Sequence, residues 1–389
     1  MYLDLFRNNN TGDNNVSVFL ALVKAGLWGN RDEFHVPDFK FLESVDLDEI
    51  YQLAEEQSVI GIVLAGMEQS NIKPPRELLL QWIGEAQMLE RQNKAMNLFI
   101  AELIEKMRKA DIYTLLVKGQ GIAQCYEKPL WRACGDVDLF LNEENYEKAK
   151  ALLLPLSSSS ELEYKNQLHL GMIIEQWVVE LHGTMRTCSF QKIDKVVDNV
   201  QNDIFSEGHV RVWNNQGTEI PLPSIDNDVI LVFTHILKHF FHGGIGLRQI
   251  CDWCRLLWTY KGEFNLGLLE ARIREAGIMT EWKAFASLAG NYLGMPTGAI
   301  PLYEDSKHWK HKADRIIGFV LKTGNFGCNR HNNVNYPKII RKAIALWQYT
   351  SDYINHSFIF PMDSLQAWSW ELKTGIFSFF DRNHTNDAK

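Results

Sequence analysis

Gly135-Asp136-Val137-Asp138-Leu139-Phe140-Leu141 sets two carboxylates two residues apart inside an otherwise apolar stretch. On an extended strand, residues at period two share a face, so Asp136 and Asp138 point one way and Val137, Leu139 and Leu141 the other. The apolar set needs a core. The two acids repel each other unless a cation sits between them, and paired hard oxygen donors suit Mg²⁺. Asp-x-Asp also occurs in turns and solvated loops, so the flanking sequence has to decide.

Upstream, Tyr113-Thr-Leu-Leu-Val117 reads as a short buried strand that runs into a glycine turn, Lys118-Gly119-Gln120-Gly121. Ile122-Ala-Gln-Cys-Tyr126 has the length of one or two helical turns, and Pro129 and Arg132 fall in the connection to the Asp-x-Asp strand. Downstream, Trp177-Val-Val-Glu180-Leu181-His182 is a second segment with strand character, in which Val178, Glu180 and His182 share a face. Glu180 is then either a water-facing edge residue or the third ligand of the same cation site.

Three blocks, Lys118-Gly119, Arg132-x-x-Gly135-Asp136-Val137-Asp138-Leu139 and Glu180-Leu181-His182, resemble the nucleotidyltransferase superfamily of the DNA polymerase beta type, and within it an uncharacterised bacterial branch. The resemblance covers roughly residues 95–260. It implies an α+β fold whose core is a small mixed sheet. It also implies that Asp136, Asp138 and Glu180 are catalytic and hold Mg²⁺ or Mn²⁺, with Glu180 on the ion nearer the acceptor, where it helps deprotonate the attacking hydroxyl. Lys118, Gly119, Gln120, Arg132 and Arg248 are the expected nucleotide-binding residues, the last from a Leu247-Arg248-x-x-x-Asp252 element that resembles one in the family's helical domain. One position departs from the pattern: the wider superfamily places Ser after the turn glycine, and here Gln120 stands there. Backbone N–H groups of the turn still offer a phosphate cradle, so altered phosphate contacts are expected.

The chemistry accounts for these residue types. In-line attack on the α-phosphorus of an NTP is served by two divalent ions about 3.5–4 Å apart, one on the attacking and one on the leaving oxygen. Lys118 and Arg132 are placed to offset triphosphate charge, although each also reads as an ordinary surface cation. The implied reaction moves NMP from an NTP to a hydroxyl or phosphate of an unidentified acceptor, a small molecule or a protein. The alternative is a catalytically silent nucleotide-binding or interaction protein with the same fold, a reading that Gln120 favours.

Composition narrows the partners. Hydrophobic residues make up 46% of the 389, enough for a sizeable core, while a net charge of −8 opposes a basic groove over nucleic acid. Six cysteines without a regular framework and an N-terminus, Met1–Asn10, without a sustained apolar run lead to the expectation of a soluble cytoplasmic protein. No apolar run reaches the roughly 20 residues of a membrane span. Oligomeric state is not written in the sequence.

Three regions are expected: a helical N-terminal region over 1–108, the α/β core over 109–222 and a helical domain over 223–389. In the first, Asp46-Leu-Asp-Glu49 offers a helix cap, and Leu89 to Met107 carries an amphipathic stripe. In the second, Asn142 caps a helix ending near Pro155, Ser157–Ser160 reads as a loop, and strands near Tyr164–Ile174 and Val178–His182 are followed by a hairpin around Asn214–Gly217. In the third, Asp226-Asn-Asp228 is expected to cap a helix from Val229 to His242, and a second runs from Leu247 to Tyr260.

His235, His239 and His242 share a face of the first of these, open to readings as a zinc clasp, a polar wall of the cleft or plain packing. Cys251 and Cys254 have zinc spacing but no second pair, and they read as core thiols. Arg248 and Asp252, one turn apart, suit an i,i+4 ion pair. Cys188 is a nucleophile only if the fold joins it to His182. The aromatic stretches at Trp368-Ser-Trp370 and Phe377–Phe380 are open to a membrane-surface role, with docking on the helical domain the favoured expectation, and Asn383–Lys389 are expected to be disordered.

Overall fold

Glycines bring the first helices into contact. The computed structural model describes residues 12–29, 45–70, 74–163, 168–329 and 338–381, so the expectations for Met1–Asn10 and Asn383–Lys389 lie outside the described residues. Helix α1 (Gly12–Trp28) packs on α3 (Ile60–Gln69), with α2 (Leu47–Glu56) between them in the chain. A Cβ at Gly26 would stand 1.8 Å from the Ile62 carbonyl oxygen, and one at Gly66 would stand 2.0 Å from that of Leu22. Only glycine permits this approach. The cap of α2 forms as the sequence suggested, Asp46 accepting from the backbone N–H groups of Asp48 and Glu49. Helix α4 (Arg76–Lys109) starts directly after Pro74-Pro75 and is longer than its apolar stripe. It buries Met96, Ile100, Leu103 and Met107 against the sheet.

The sheet then assembles. Strand β1 (Leu115–Val117) leads into α5 (Gly119–Ala123), which begins on the turn glycines and not after them, as the sequence reading had it. Strand β2 (Asp136–Phe140) alternates as expected: Val137 and Leu139, with Leu141 beyond it, join the apolar layer under α4 and α6 (Glu143–Leu153), the latter capped by Asn142. Residues 157–160, expected to be a loop, form edge strand β3 (Ser157–Ser160), antiparallel to β4 (His169–Ile174). Four serines carry no apolar alternation, so only backbone pairing to β4 makes this strand, and a polar edge resists pairing with other chains. Strand β5 (Trp177–His182) completes the order β1-β2-β5-β4-β3, in which β2 and β5 run parallel and the remaining pairs antiparallel. The fold is α+β with a mixed sheet.

Helix α7 (Gln191–Phe205) and the hairpin of β6 (Val210–Asn215) and β7 (Thr218–Pro223) follow, the hairpin turning through Gln216 and Gly217 at φ of 53° and 98°. Both positive values match a primed turn. Helix α8 (Ile225–His242) starts four residues earlier than the sequence suggested, with Ser224 at its N-cap, because Asp228 does not cap it: that carboxylate is buried and pairs with Arg211. Helix α9 (Leu247–Thr259) buries Cys251 and Cys254 completely as free thiols, with burial pushing both above their ordinary value. Helices α10 (Leu266–Ala276), α11 (Met279–Asn291), α12 (Lys307–Thr323), α13 (Lys338–Ser357) and α14 (Pro361–Asp381) complete the chain. Their core centres on Phe233, whose ring meets Trp253, Trp282 and Phe285 at 4.7–5.7 Å. Helix α14 docks on α8, where Glu371 lies 2.8 Å from His242 Nδ1 and Trp370 packs on the His242 ring. No described helix is long and apolar enough to cross a membrane.

Candidate active site

Register decides what the acids can do together. In the parallel β2/β5 pair, Asp138 stands directly beside Glu180 and Asp136 beside Val178. Asp136, Asp138 and Glu180 each bring an oxygen within 4.8 Å of the other two. Three hard oxygen donors at that spacing fit a divalent cation or a pair of them. The structure thus joins residues that are 44 positions apart in the chain, counted from 136 to 180.

On the other side of β2, Val117 pairs with Asp138, and the chain turns at once through Lys118 and Gly119 at φ of 56° and 39°. A lysine in this backbone region is strained. The turn sets its Nζ 2.7 Å from Asp138 Oδ1. A Cβ on Gly119 would press on Cys134 Sγ at 3.3 Å. The same Asp138 oxygen lies 2.7 Å from His182 Nε2, which is 3.3 Å from Glu180 Oε2. His169, opposite His182 across the β4/β5 ladder, brings its Nε2 to 3.2 Å from that Glu180 oxygen.

These contacts divide the carboxylates. Asp136 is held above its ordinary value, first by the charge of Asp138 and then by burial, against the pull of Lys118. Asp138 is held below: burial pushes it up, but Lys118 and the His182 hydrogen bond and charge outweigh that. Glu180 is also depressed, because hydrogen bonds from His169 and His182 overcome burial. Burial would lower Lys118, yet the three acids raise it. The partly exposed lysine is the counter-charge to these acids.

Helical elements form the opposite wall of a cleft open to solvent. From the sheet side come Lys118, Gly119, Asp136 and Asp138; from the helical side come His235, Arg248, Gln249 and Phe326. Burial and the nearby Lys118 depress both His235 and His239, the latter to about 3, so α8 presents neutral rings 4.4 Å apart. The zinc-clasp reading fails: His242 turns away to Ser189 Oγ at 2.8 Å and to Glu371, and the three histidines are not among the clusters of metal-ligating atoms in the described residues. The thiol reading fails as well. Burial raises the Cys188 thiol above its ordinary value, and His182 is engaged by Asp138 and Glu180.

The arginines divide their roles. Arg132 is 5% exposed and forms a two-pronged pair with Asp252, Nε to Oδ1 at 3.0 Å and Nη2 to Oδ2 at 2.6 Å, while the Tyr126 hydroxyl donates to Oδ1 at 2.7 Å. Asp252 therefore serves Arg132, not Arg248 one turn earlier, as the spacing alone suggested. Arg248 instead donates from Nη1 to the Ala133 carbonyl at 2.8 Å. Both line the cleft, and each retains a buried nitrogen without a partner, Arg132 Nη1 and Arg248 Nε. Gln120 is different: its side chain is 1% exposed and donates to Asn93 Oδ1 on α4 at 2.6 Å, outside the cleft lining.

Sequence reasoning did not single out His169, read His182 only through the Glu180-Leu181-His182 block and a conditional pairing with Cys188, and gave Asp252 to Arg248. His182 already shared the Glu180 face at period two, but His169 reaches the site only through cross-strand register, which no local pattern encodes. Residues 43–294, well over half of the chain, match a family described as uncharacterised nucleotidyltransferase, and the chain belongs to that family. It is a transferase enzyme of the nucleotidyl class. No curated protein and no solved structure matches it. Phe326 and α12 to α14 lie beyond the matched segment.

Proposed function

We propose that the protein transfers NMP from an NTP, with Mg²⁺ or Mn²⁺, to a hydroxyl or phosphate on a small molecule or protein. The observation that carries this reading is the convergence of Asp136, Asp138 and Glu180 oxygens within 4.8 Å, the two aspartates lining a cleft that also presents Lys118 and two arginines. In this reading the cleft lies between the core over 109–222 and the helical domain over 223–389, with the helical region over 1–108 packed behind. Asp136, Asp138 and Glu180 would hold the divalent ions, which when bound would supply charge neutralisation at the α-phosphate and acidify the acceptor hydroxyl.

The chain's own groups do the rest. Lys118 leaves Asp138 for the triphosphate, and Gly119 and Gln120 contribute backbone N–H groups at the turn. Arg132, braced by Asp252, and Arg248 direct their unpartnered nitrogens to phosphate oxygens. His169 and His182 keep Glu180 ionised, which suits it to hold an ion and orient the acceptor, and makes it a poor final proton store. A net charge of −8 favours a small-molecule or protein acceptor over nucleic acid. A cytoplasmic setting, rich in Mg²⁺ and NTPs, fits this chemistry.

A second reading, nucleotide binding without turnover, is favoured by the Lys118–Asp138 contact, which occupies an oxygen a cation needs. Labelled NTPs incubated with the protein and a cell extract decide between them. Transfer of label to an extract component, lost on Asp138→Asn, supports the first. Binding with no transfer under any divalent ion supports the second.

A further inference from the structure

Three polar atoms in the cleft wall are buried and without a partner: Arg132 Nη1, Arg248 Nε and Gln249 Oε1. The two nitrogens suit phosphate. The oxygen does not. Gln249 is 7% exposed, and its Nε2 donates to Asn325 Oδ1 at 2.9 Å, while Asn325 Nδ2 donates to Ser58 Oγ at 2.8 Å. That chain of bonds fixes the amide and leaves its carbonyl oxygen as a lone acceptor in a site built for an anion. Leaving a buried acceptor without a donor is costly, so its presence beside the cleft asks for a donor on the ligand.

The residue after Asn325 adds a second, independent feature. Phe326 lies at φ 51° and ψ 27°, a left-handed conformation unusual for a bulky residue. Its ring is 50% exposed and lines the cleft, packed against the His239 ring at 5.0 Å. Backbone strain that holds a large aromatic half in water is retained where the ring has something to cover. Close approach is built in from below, because a Cβ on Gly246 would stand 2.8 Å from Asn325 Cβ.

We infer that Phe326 and Gln249 form the base subsite of the cleft: Phe326 stacks on the nucleobase and Gln249 Oε1 accepts from its exocyclic amino group. This rests on the proposed NTP-dependent function and specifies its substrate. The ligand is a nucleoside triphosphate with an amino-bearing base such as adenine or cytosine. Hypoxanthine and uracil replace that amine with a carbonyl, whose lone pairs would face the Gln249 oxygen. Of the two residues, Phe326 lies outside the segment that matches the family and Gln249 within it.

Amino-for-keto pairs of equal ring size test it. Binding of ATP, ITP, CTP, UTP and inorganic tripolyphosphate is measured by calorimetry with Mg²⁺ on the full chain and on Phe326→Ala, Phe326→Trp and Gln249→Leu. Wild type should bind ATP about tenfold or more tighter than ITP, and CTP likewise over UTP. Phe326→Ala should weaken every NTP about tenfold or more, Phe326→Trp should not, and neither should alter tripolyphosphate, which serves as a control for folding. Gln249→Leu should level ATP with ITP. The subsite is refuted if wild type binds ATP, ITP and tripolyphosphate equally, or if Phe326→Ala leaves ATP binding unchanged; tripolyphosphate binding would then still stand for the triphosphate site. If neither NTP nor tripolyphosphate binds wild type, the nucleotide reading itself is lost.

Discussion

Asp136 and Asp138 are alternate residues of one strand with opposite electrostatic fates, and their isosteric amides should separate two effects. Asp138→Asn removes the partner of both Lys118 and His182, so metal-free stability should fall along with label transfer. Asp136→Asn removes the charge that repels Asp138, so the metal-free melting temperature should rise while transfer drops by about 100-fold or more. Calorimetric melting in EDTA beside a transfer assay reads both. A matching rise for Asp138→Asn would show that Lys118 does not stabilise the fold through that carboxylate. Arg132 makes a sharper stability prediction. Its pair with Asp252 is buried on both sides, and Asp252→Ala leaves a guanidinium uncompensated, at a cost of about 3–5 kcal/mol. Urea unfolding checks this, and a cost below 1 kcal/mol would mean that water reaches Arg132.

At the scale of elements, the sequence was most legible where periodicity is local. Alternation in 136–141, the Asn142 and Asp46 caps and the turn before Gly217 all formed because each depends on residues within one turn or one strand. Legibility failed where partners decide. Edge strand β3 exists through its ladder to β4, the start of α8 moved because Asp228 pairs with Arg211, and Arg248 lost Asp252 to a residue 120 positions away. The acidic cluster was half legible: period two aligned Asp136 with Asp138, but only the parallel register of β2 and β5 brings Glu180 alongside. Packing of α1 on α3 was invisible, since glycine in a helix is usually a weakness. Gly66→Ala should therefore destabilise by about 1–3 kcal/mol despite its better helix propensity, because its Cβ meets a backbone carbonyl at 2.0 Å. Chemical denaturation measures it, and a stabilised variant would contradict the close crossing.

At the scale of the whole molecule, helices α11 and α14 meet at a buried acid. Glu281 of α11 is 2% exposed and is pushed up to about 9, first by burial and then by Asp363 of α14. The folded chain keeps this proton while the unfolded chain loses it near the ordinary glutamate value of 4.5. Stability should therefore fall as pH rises from about 4.5 towards 9. Glu281→Gln removes that slope, so the variant should exceed wild type by on the order of 1–3 kcal/mol at pH 8 and match it near pH 4.5. Melting curves across that range decide it; parallel curves would mean that Glu281 is ionised in the fold.

The lysine turned in upon Asp138 has a consequence for how this enzyme would be loaded in a cell. A site that carries its own internal cation gains little from a divalent ion arriving alone, because one positive charge merely displaces another. A nucleotide arriving alone meets two acids it cannot approach. If the proposed NTP and ion bind together they would relieve both conflicts, the triphosphate drawing off the ammonium and the ion taking the vacated oxygen. Linkage then makes each ligand tighten the other by the same factor. Titrating Mg²⁺ into the free protein should give weak binding, and titrating it in the presence of saturating NTP should give binding at least about tenfold stronger. Lys118→Met should shrink that ratio by strengthening the ion alone. In the proposed function the free ion would then set a threshold, and the charged nucleotide complex, not either component, would be the species the protein senses.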